Sequence, residues 1–209
     1  MKRYFAAVAV LALLIAAPLF AQAPRGWMLR EDRSTSPSDP DKPGEIKFTA
    51  TPTGFTASNP QAAVFWNPAN TATGTYTLKG TFTQTTPSSH PNYYGLVFGG
   101  SGLEGASQNY LYFVVAQNGT FLVKKRESNA EPRDLVARKA SPAIQRPDAS
   151  GRSVNNLEVR VAADKIDYFI NGMLVQTTPK TGLAAKTDGI YGVRVNHDLE
   201  VRVDGLTKQ

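Results

Sequence analysis

Strict alternation of apolar and polar residues near the C-terminus constrains the fold of this chain more than any other feature. The segment Asp198 to Asp204 (DLEVRVD) places its charged residues and its aliphatic residues at alternate positions. Successive side chains of a β-strand point to opposite faces, so the pattern predicts a strand with one face on a core and the other in water. Residues 157–161 (LEVRV) and 166–170 (IDYFI) repeat the pattern. A helical period never establishes itself after Gly44, and the chain is predicted to be all-β.

Turn residues join these segments into hairpins. Asn118-Gly119 and Asn171-Gly172 each stand between two predicted strands, and Asn-Gly tolerates the positive φ that tight hairpin turns require. The remaining strands are predicted at 46–49, 54–56, 62–66, 75–83, 93–98, 110–116, 120–126, 134–137, 173–176 and 190–195. About a dozen antiparallel strands predict a two-sheet β-sandwich of the jelly-roll type. The domain is expected over residues 45–209, after an exposed, proline-rich segment or linker at 24–44.

The N-terminus has the three-part plan of a secretory signal peptide. Lys2 and Arg3 precede an apolar stretch from Tyr4 to Phe20, and small residues follow at Ala21 and Ala23. We therefore predict a signal peptide over residues 1–23, cut after either alanine, and export to the periplasm or beyond. A membrane-spanning helix is the alternative, but about 17 apolar residues lie at the lower limit for crossing a bilayer. We expect no membrane span after signal cleavage.

Composition excludes several kinds of chemistry. The absence of cysteine rules out disulfides, thiolate metal sites, a cysteine nucleophile and a lipid-modified cysteine. The net charge is +6, and removal of Lys2 and Arg3 with the signal peptide leaves +4. Because no basic run with interleaved aromatic residues accompanies this mild excess, nucleic acid is not a predicted partner.

Two strands are apolar on both faces and should lie in the middle of their sheets. They are Tyr93 to Phe98 (YYGLVF) and Tyr110 to Val115 (YLYFVV). One face of each is expected in the core, and the other is expected to line a concave surface. Aromatic rings beside cationic groups on that surface would suit a sugar, especially an acidic one. The candidate ligand-binding residues are Tyr94, Tyr112, Lys124, Arg126 and Arg194. The alternative is that the tyrosines are core residues with locally bonded hydroxyls and the cations form a solvated edge.

The same segments carry a family resemblance. Residues 93–100 (YYGLVFGG), 109–113 (NYLYF) and 118–126 (NGTFLVKKR) resemble the concanavalin A-like jelly roll. More closely, they are similar to secreted bacterial domains grouped with the 3-keto-disaccharide hydrolase domain and with laminin G-like modules. The resemblance spans roughly residues 45–206. It implies the fold and leaves the activity open, since this sandwich carries lectins, sugar-binding modules, glycosidases and adhesion domains.

The sequence offers little for catalysis. Retaining glycosidases need two carboxylates about 5 Å apart, and the Glu-x-Asp-x-Glu pattern of jelly-roll glycosidases is absent. His90, in a loop, and Glu104, in the glycine-rich segment 99–106, are weak candidates for an acid or base. His90 and His197 have no metal-ligand spacing, so no metal site is predicted. Calcium stays an alternative, because aspartates lie near predicted turns.

Three functions are compatible with these features. The first is a non-catalytic module that binds carbohydrate on the concave sheet. The second, implied by the resemblance, is a hydrolase of the 3-keto-disaccharide type acting on glycosides. The third is a structural or adhesive domain with a protein partner. An open aromatic groove would favour the carbohydrate-binding module, and a deep polar cleft would favour the hydrolase. A flat apolar face would favour the domain with a protein partner.

Overall fold

The alternating segments form β-strands in the computed structural model, which describes residues 23–33 and 41–209. The strands are β1 Met28–Glu31, β2 Lys47–Thr51, β3 Gly54–Asn59, β4 Ala63–Ala72, β5 Tyr76–Thr86, β6 Tyr93–Ser101, β7 Asn109–Ala116, β8 Thr120–Glu127, β9 Arg133–Ala140, β10 Ser153–Val161, β11 Lys165–Ile170, β12 Met173–Pro179, β13 Gly189–Val195 and β14 Leu199–Lys208. A short 3₁₀ helix spans Gly182–Ala184. No helix within the described ranges is long and apolar enough to cross a membrane. The predicted signal peptide lies outside the described residues, apart from Ala23.

The strands form two seven-stranded antiparallel sheets. The front sheet has the order β1-β4-β13-β6-β7-β8-β9, and the back sheet has the order β12-β11-β10-β5-β14-β3-β2. The predicted two-sheet β-sandwich is therefore confirmed, and β6 and β7 occupy the middle of the front sheet as expected. Every predicted strand is present. Strand β1 was not predicted, because its four residues stand in the segment assigned to a linker.

The main core fills the space between the sheets. Leu111, Phe113 and Val115 point inward from β7 and are fully buried there. The Phe113 ring centroid lies 6.1 Å from that of Phe121 and 5.2 Å from that of Tyr168 on the back sheet. Burying a large apolar side chain completely stabilises the fold by roughly 1.5–3 kcal/mol. Rings from both sheets thus hold the sandwich together.

The two Asn-Gly turns are not alike. Asn171 and Gly172 have φ values of 50° and 81°, so both adopt the left-handed conformation that the sequence predicts for a tight turn. In the β7–β8 turn only Gly119 does so, with a φ of 82°. That turn covers residues 117–119, and the Asn118 side chain accepts a hydrogen bond from the backbone N–H of Thr120. The predicted hairpin is confirmed, with one more turn residue than Asn-Gly alone supplies.

Candidate functional site

The outer face of the front sheet carries a second buried cluster, separate from the inter-sheet core. On β7, Tyr110 and Tyr112 alternate with the inward-pointing Leu111 and Phe113. The members of the outer cluster are Val64, Trp66, Tyr93, Val97, Leu103, Tyr110, Tyr112, Val114, Ala116 and Leu122. The front sheet is therefore buried on both faces, as the two-sided apolar pattern of its central strands indicates.

A charged cluster lies on this outer face and is centred on Asp32, which follows β1. Arg194 donates hydrogen bonds from Nη1 to Asp32 Oδ2 and, over 3.0 Å, to the hydroxyl of Tyr110. Arg126 Nη2 donates to Asp32 Oδ1 over 3.2 Å. Arg30 Nη2 lies 3.7 Å from the same oxygen. These residues, Arg30, Asp32, Tyr110, Arg126 and Arg194, form what we call the arginine–aspartate cluster.

Electrostatics explain how an aspartate can be buried in this cluster. Burial alone raises the pKa of Asp32, but the charge and hydrogen bond of Arg194, with the charges of Arg126 and Arg30, outweigh burial and lower that pKa below its usual value. Burial raises the pKa of Tyr110, so its hydroxyl stays neutral and donates a hydrogen bond to Asp32 Oδ2 over 3.3 Å. Three arginines against one aspartate leave the cluster with a net charge of +2. The buried Arg126 Nε has no hydrogen-bond partner among the described residues.

A cavity of about 220 Å³ opens beside this cluster, and we call it the front cavity. Its lining residues are Pro91, Asn92, Tyr93, Tyr112, Val114, Leu122, Lys124, Arg138, Arg194 and Asn196. The Arg194 guanidinium carbon lies 5.2 Å from the Tyr112 ring centroid, and that of Arg138 lies 5.7 Å from the Tyr93 ring centroid. Both distances are within the range of cation–π contacts. Each of these two rings therefore has a guanidinium group beside it at the cavity.

Strand register explains why these side chains converge. Tyr112 on β7 pairs directly with Lys124 on β8. Arg194 on β13 pairs with Gly95 on β6, which in turn pairs with Val114 on β7. Across this register the Arg194 guanidinium reaches the hydroxyl of Tyr110 and the ring of Tyr112 on β7.

The structure unites four of the five predicted ligand residues. Tyr112, Lys124 and Arg194 line the front cavity, and Arg126 joins Arg194 through Asp32. Tyr94 is the exception and a correction to the prediction. Its side chain is 1% exposed and points into the inter-sheet core, where its hydroxyl accepts a hydrogen bond from Asn155. Tyr94 faces the opposite side of β6 from Tyr93, because neighbouring residues of a strand alternate.

Sequence reasoning missed three residues of this face: Arg30, Asp32 and Arg138. Arg30 and Asp32 stand in the segment assigned to a linker, where only the short apolar start of β1 signals a strand. For Arg138, the pairing of β8 with β9 shifts register on both sides of Val123. These irregularities turn Val136 into the inter-sheet core, although Asp134 and Arg138 share the outer face, so β9 shows no regular alternation that would point to Arg138.

The two histidines, distant in sequence, are neighbours in the fold. The Nε2 atoms of His90 and His197 are 3.2 Å apart, and His197 Nδ1 lies 2.9 Å from Asp41 Oδ1. Glu104 is exposed in the β6–β7 loop, at the opposite end of β6 from His90. The structure therefore does not bring the two weak acid–base candidates together. In the part of the chain that the structure describes, no group of three or more histidine or carboxylate side chains is placed to hold a metal.

Comparisons with known proteins support the fold. No family model and no curated protein matches this chain. Among solved structures, it is similar to the carbohydrate-binding module CBM66 of Bacillus subtilis, with 14% identity over 88% of this chain and 95% of that one and a TM-score of 0.62. A Bacillus subtilis protein of unknown function with a galectin-like fold is 17% identical over 88% of this chain and 88% of that one, with a TM-score of 0.56. A putative glycosyl hydrolase of Parabacteroides distasonis is 10% identical over 87% of this chain and 98% of that one, with a TM-score of 0.51.

These likenesses confirm that the chain has the concanavalin A-like sandwich fold. At such low identities they show the fold alone. The closer grouping with the 3-keto-disaccharide hydrolase domain and laminin G-like modules stays a prediction.

Proposed function

We propose that this chain is an exported, non-catalytic carbohydrate-binding module that holds its ligand in the front cavity. The observation that carries the proposal is that cationic and tyrosine side chains of β6, β7, β8, β9 and β13, with two amide side chains from the adjoining loops, line one cavity. The carbohydrate-binding module among its structural neighbours supports it. Export rests on the signal-peptide pattern alone.

The lining of the front cavity matches what a sugar needs. Sugars are recognised by a few placed polar groups against aromatic rings. Asn196 Oδ1 accepts a hydrogen bond from Arg194 Nε over 3.1 Å, which leaves its amide nitrogen to donate to a ligand hydroxyl. The volume is below the roughly 300–1,000 Å³ of pockets that enclose drug-sized ligands. We therefore expect one sugar ring inside the cavity and the rest of the saccharide along the sheet.

The carboxylates of the outer face favour binding over catalysis. A retaining glycosidase needs one carboxylate as nucleophile and a second as acid. Asp32 is held by arginines and is 5% exposed at its side chain, whereas Asp134 Oδ1 lies 3.2 Å from Lys124 Nζ. Both carboxylates are engaged by cations, and Asp32 is closed to a substrate.

A cavity-filling variant tests the proposal. We expect the mature protein to bind a subset of sugars on a glycan array, with and without calcium, and Asn196→Trp to lose that binding because the indole occupies the cavity. Lys165→Trp, on the exposed side of the back sheet, is the matched control and should bind like the wild type. Thermal melting of both variants checks that they fold. Unchanged binding by Asn196→Trp would place the ligand elsewhere, and a wild type that binds no glycan would refute the proposed function.

A further inference from the structure

We infer that the front cavity selects anionic saccharides, and that Lys124 and Arg138 contact the acidic group. This inference rests on the proposed function and specifies its ligand class. The shared chemistry of such ligands is a pair of anionic oxygens on a sugar ring, from a carboxylate or a sulfate ester.

The charge balance of the outer face is the first argument. Five cations lie in or beside the front cavity: Arg30, Lys124, Arg126, Arg138 and Arg194. Two carboxylates, those of Asp32 and Asp134, accompany them. These seven groups thus carry a net charge of +3, against the +4 expected for the mature chain. A cleft lined by one sign of charge attracts ligands of the opposite sign.

The cations form two layers with different roles. In the inner layer, Arg126 and Arg194 are fixed by Asp32, so they are already paired and largely buried. In the outer layer, Lys124 and Arg138 have one carboxylate between them, that of Asp134. Its side chain is 51% exposed, and its ion pair with Lys124 is therefore weak. The outer layer has a cationic excess that faces solvent at the cavity.

Arg138 has the geometry to receive an acidic group. Its guanidinium lies over the Tyr93 ring and forms no ion pair with any residue in the described ranges. A guanidinium stacked on an aromatic ring keeps its N–H edge open, and that edge matches carboxylate or sulfate oxygens in a bidentate arrangement. The Lys124 side chain is 29% exposed and adds a second positive charge at the same cavity.

The test compares three probes with the same protein: oligogalacturonate, its carboxyl-reduced neutral form, and a sulfated galactose oligosaccharide. By titration calorimetry we expect at least about tenfold tighter binding of an acidic probe than of the neutral one, and weaker binding as salt rises, because salt screens exposed charges. The two acidic probes separate carboxylate from sulfate recognition.

Matched variants locate the contact. Arg138→Gln and Lys124→Gln should each weaken binding of the preferred acidic probe about tenfold and leave the neutral probe unchanged, as expected for a lost charge-assisted hydrogen bond. Lys139→Gln removes the same charge from the neighbouring position of β9, where the side chain points the other way and bonds Gln176. This control should behave like the wild type.

The outcomes separate this inference from the proposed function. Equal or tighter binding of the neutral probe overturns the inference and leaves carbohydrate binding intact. Equal losses in Arg138→Gln and Lys139→Gln would show a long-range charge effect and overturn the assigned contacts. Absence of binding to every probe and every arrayed glycan removes both proposals.

Discussion

The two sheets of this sandwich use their outer faces differently. On β10 of the back sheet, buried Leu157, Val159 and Val161 alternate with Glu158 and Arg160, which face solvent. On β6 and β7 of the front sheet, both faces are buried. The back sheet needs only one apolar face to fold. The front sheet also buries its outer face, which is not needed to pack the two sheets together. The arginine–aspartate cluster lies on this outer face.

The charges on the two faces also differ in their surroundings. Lys165 Nζ and Asp167 Oδ2 on the back sheet are 2.9 Å apart, but half of the lysine side chain is exposed. Such pairs contribute about 0–1 kcal/mol to stability. Asp32 and Arg194 on the front sheet have side chains only 5% and 11% exposed. Removing one partner there leaves a buried charge without compensation.

The largest effect is expected from the inner face that both sheets share. Phe113→Ala removes a fully buried ring between β7, Phe121 and Tyr168. We expect the free energy of unfolding to fall by about 3–5 kcal/mol, from lost burial and the cavity left behind. Urea unfolding followed by tryptophan fluorescence measures it. If the free energy of unfolding fell by less than in the outer-face variants described next, the inter-sheet core would not be the main source of stability.

A smaller loss is expected from the outer face of the front sheet. Asp32→Ala leaves Arg126 and Arg194 without their shared carboxylate. The free energy of unfolding should fall by about 2–3 kcal/mol at neutral pH, less than for a fully buried pair because Arg30 and Arg126 keep some solvent contact. The same urea measurement tests this value.

Acid should remove the difference between Asp32→Ala and the wild type. The pKa of Asp32 is lowered in the folded protein, so its stabilisation is present above the ordinary value of 3.8 and is lost as pH falls through the lower folded pKa. The two unfolding curves should therefore converge below about pH 3.8. A gap that stayed constant well below pH 3.8 would show that Asp32 contributes by packing and not by its charge.

The smallest effect belongs to the outer face of the back sheet. Glu158→Gln removes the partner of the exposed Arg160, whose guanidinium also lies 4.1 Å from the Phe169 ring centroid. We expect a change below about 0.5 kcal/mol in the free energy of unfolding. If Glu158→Gln were as costly as Asp32→Ala, the contrast between the two outer faces would disappear.

Much of the fold is predictable because its signals are local. The alternation in 157–161 and 198–204 fixes strands of one buried face, and Asn171-Gly172 fixes a tight turn. These patterns depend only on neighbouring residues and on the two-residue period of a strand. Strand β1 was missed because four residues are too few to establish a period.

The candidate site was only partly predictable. Alternation correctly put Lys124 with Arg126 on one face of β8 and Tyr110 with Tyr112 on one face of β7. It could not assign Tyr94, because a strand that is apolar on both sides gives no sign of which side is the core. Relative position on a strand is a local property, whereas the inward direction depends on the opposite sheet.

The sequence by itself determined the class of fold, the central place of β6 and β7 and the grouping of side chains along each strand. The tertiary structure alone decided that Asp32 lies against Arg194, 162 positions away, and that Arg138 turns toward the front cavity. Both depend on which strands become neighbours and where their register shifts. Those outcomes arise from packing the whole chain, which no local period encodes.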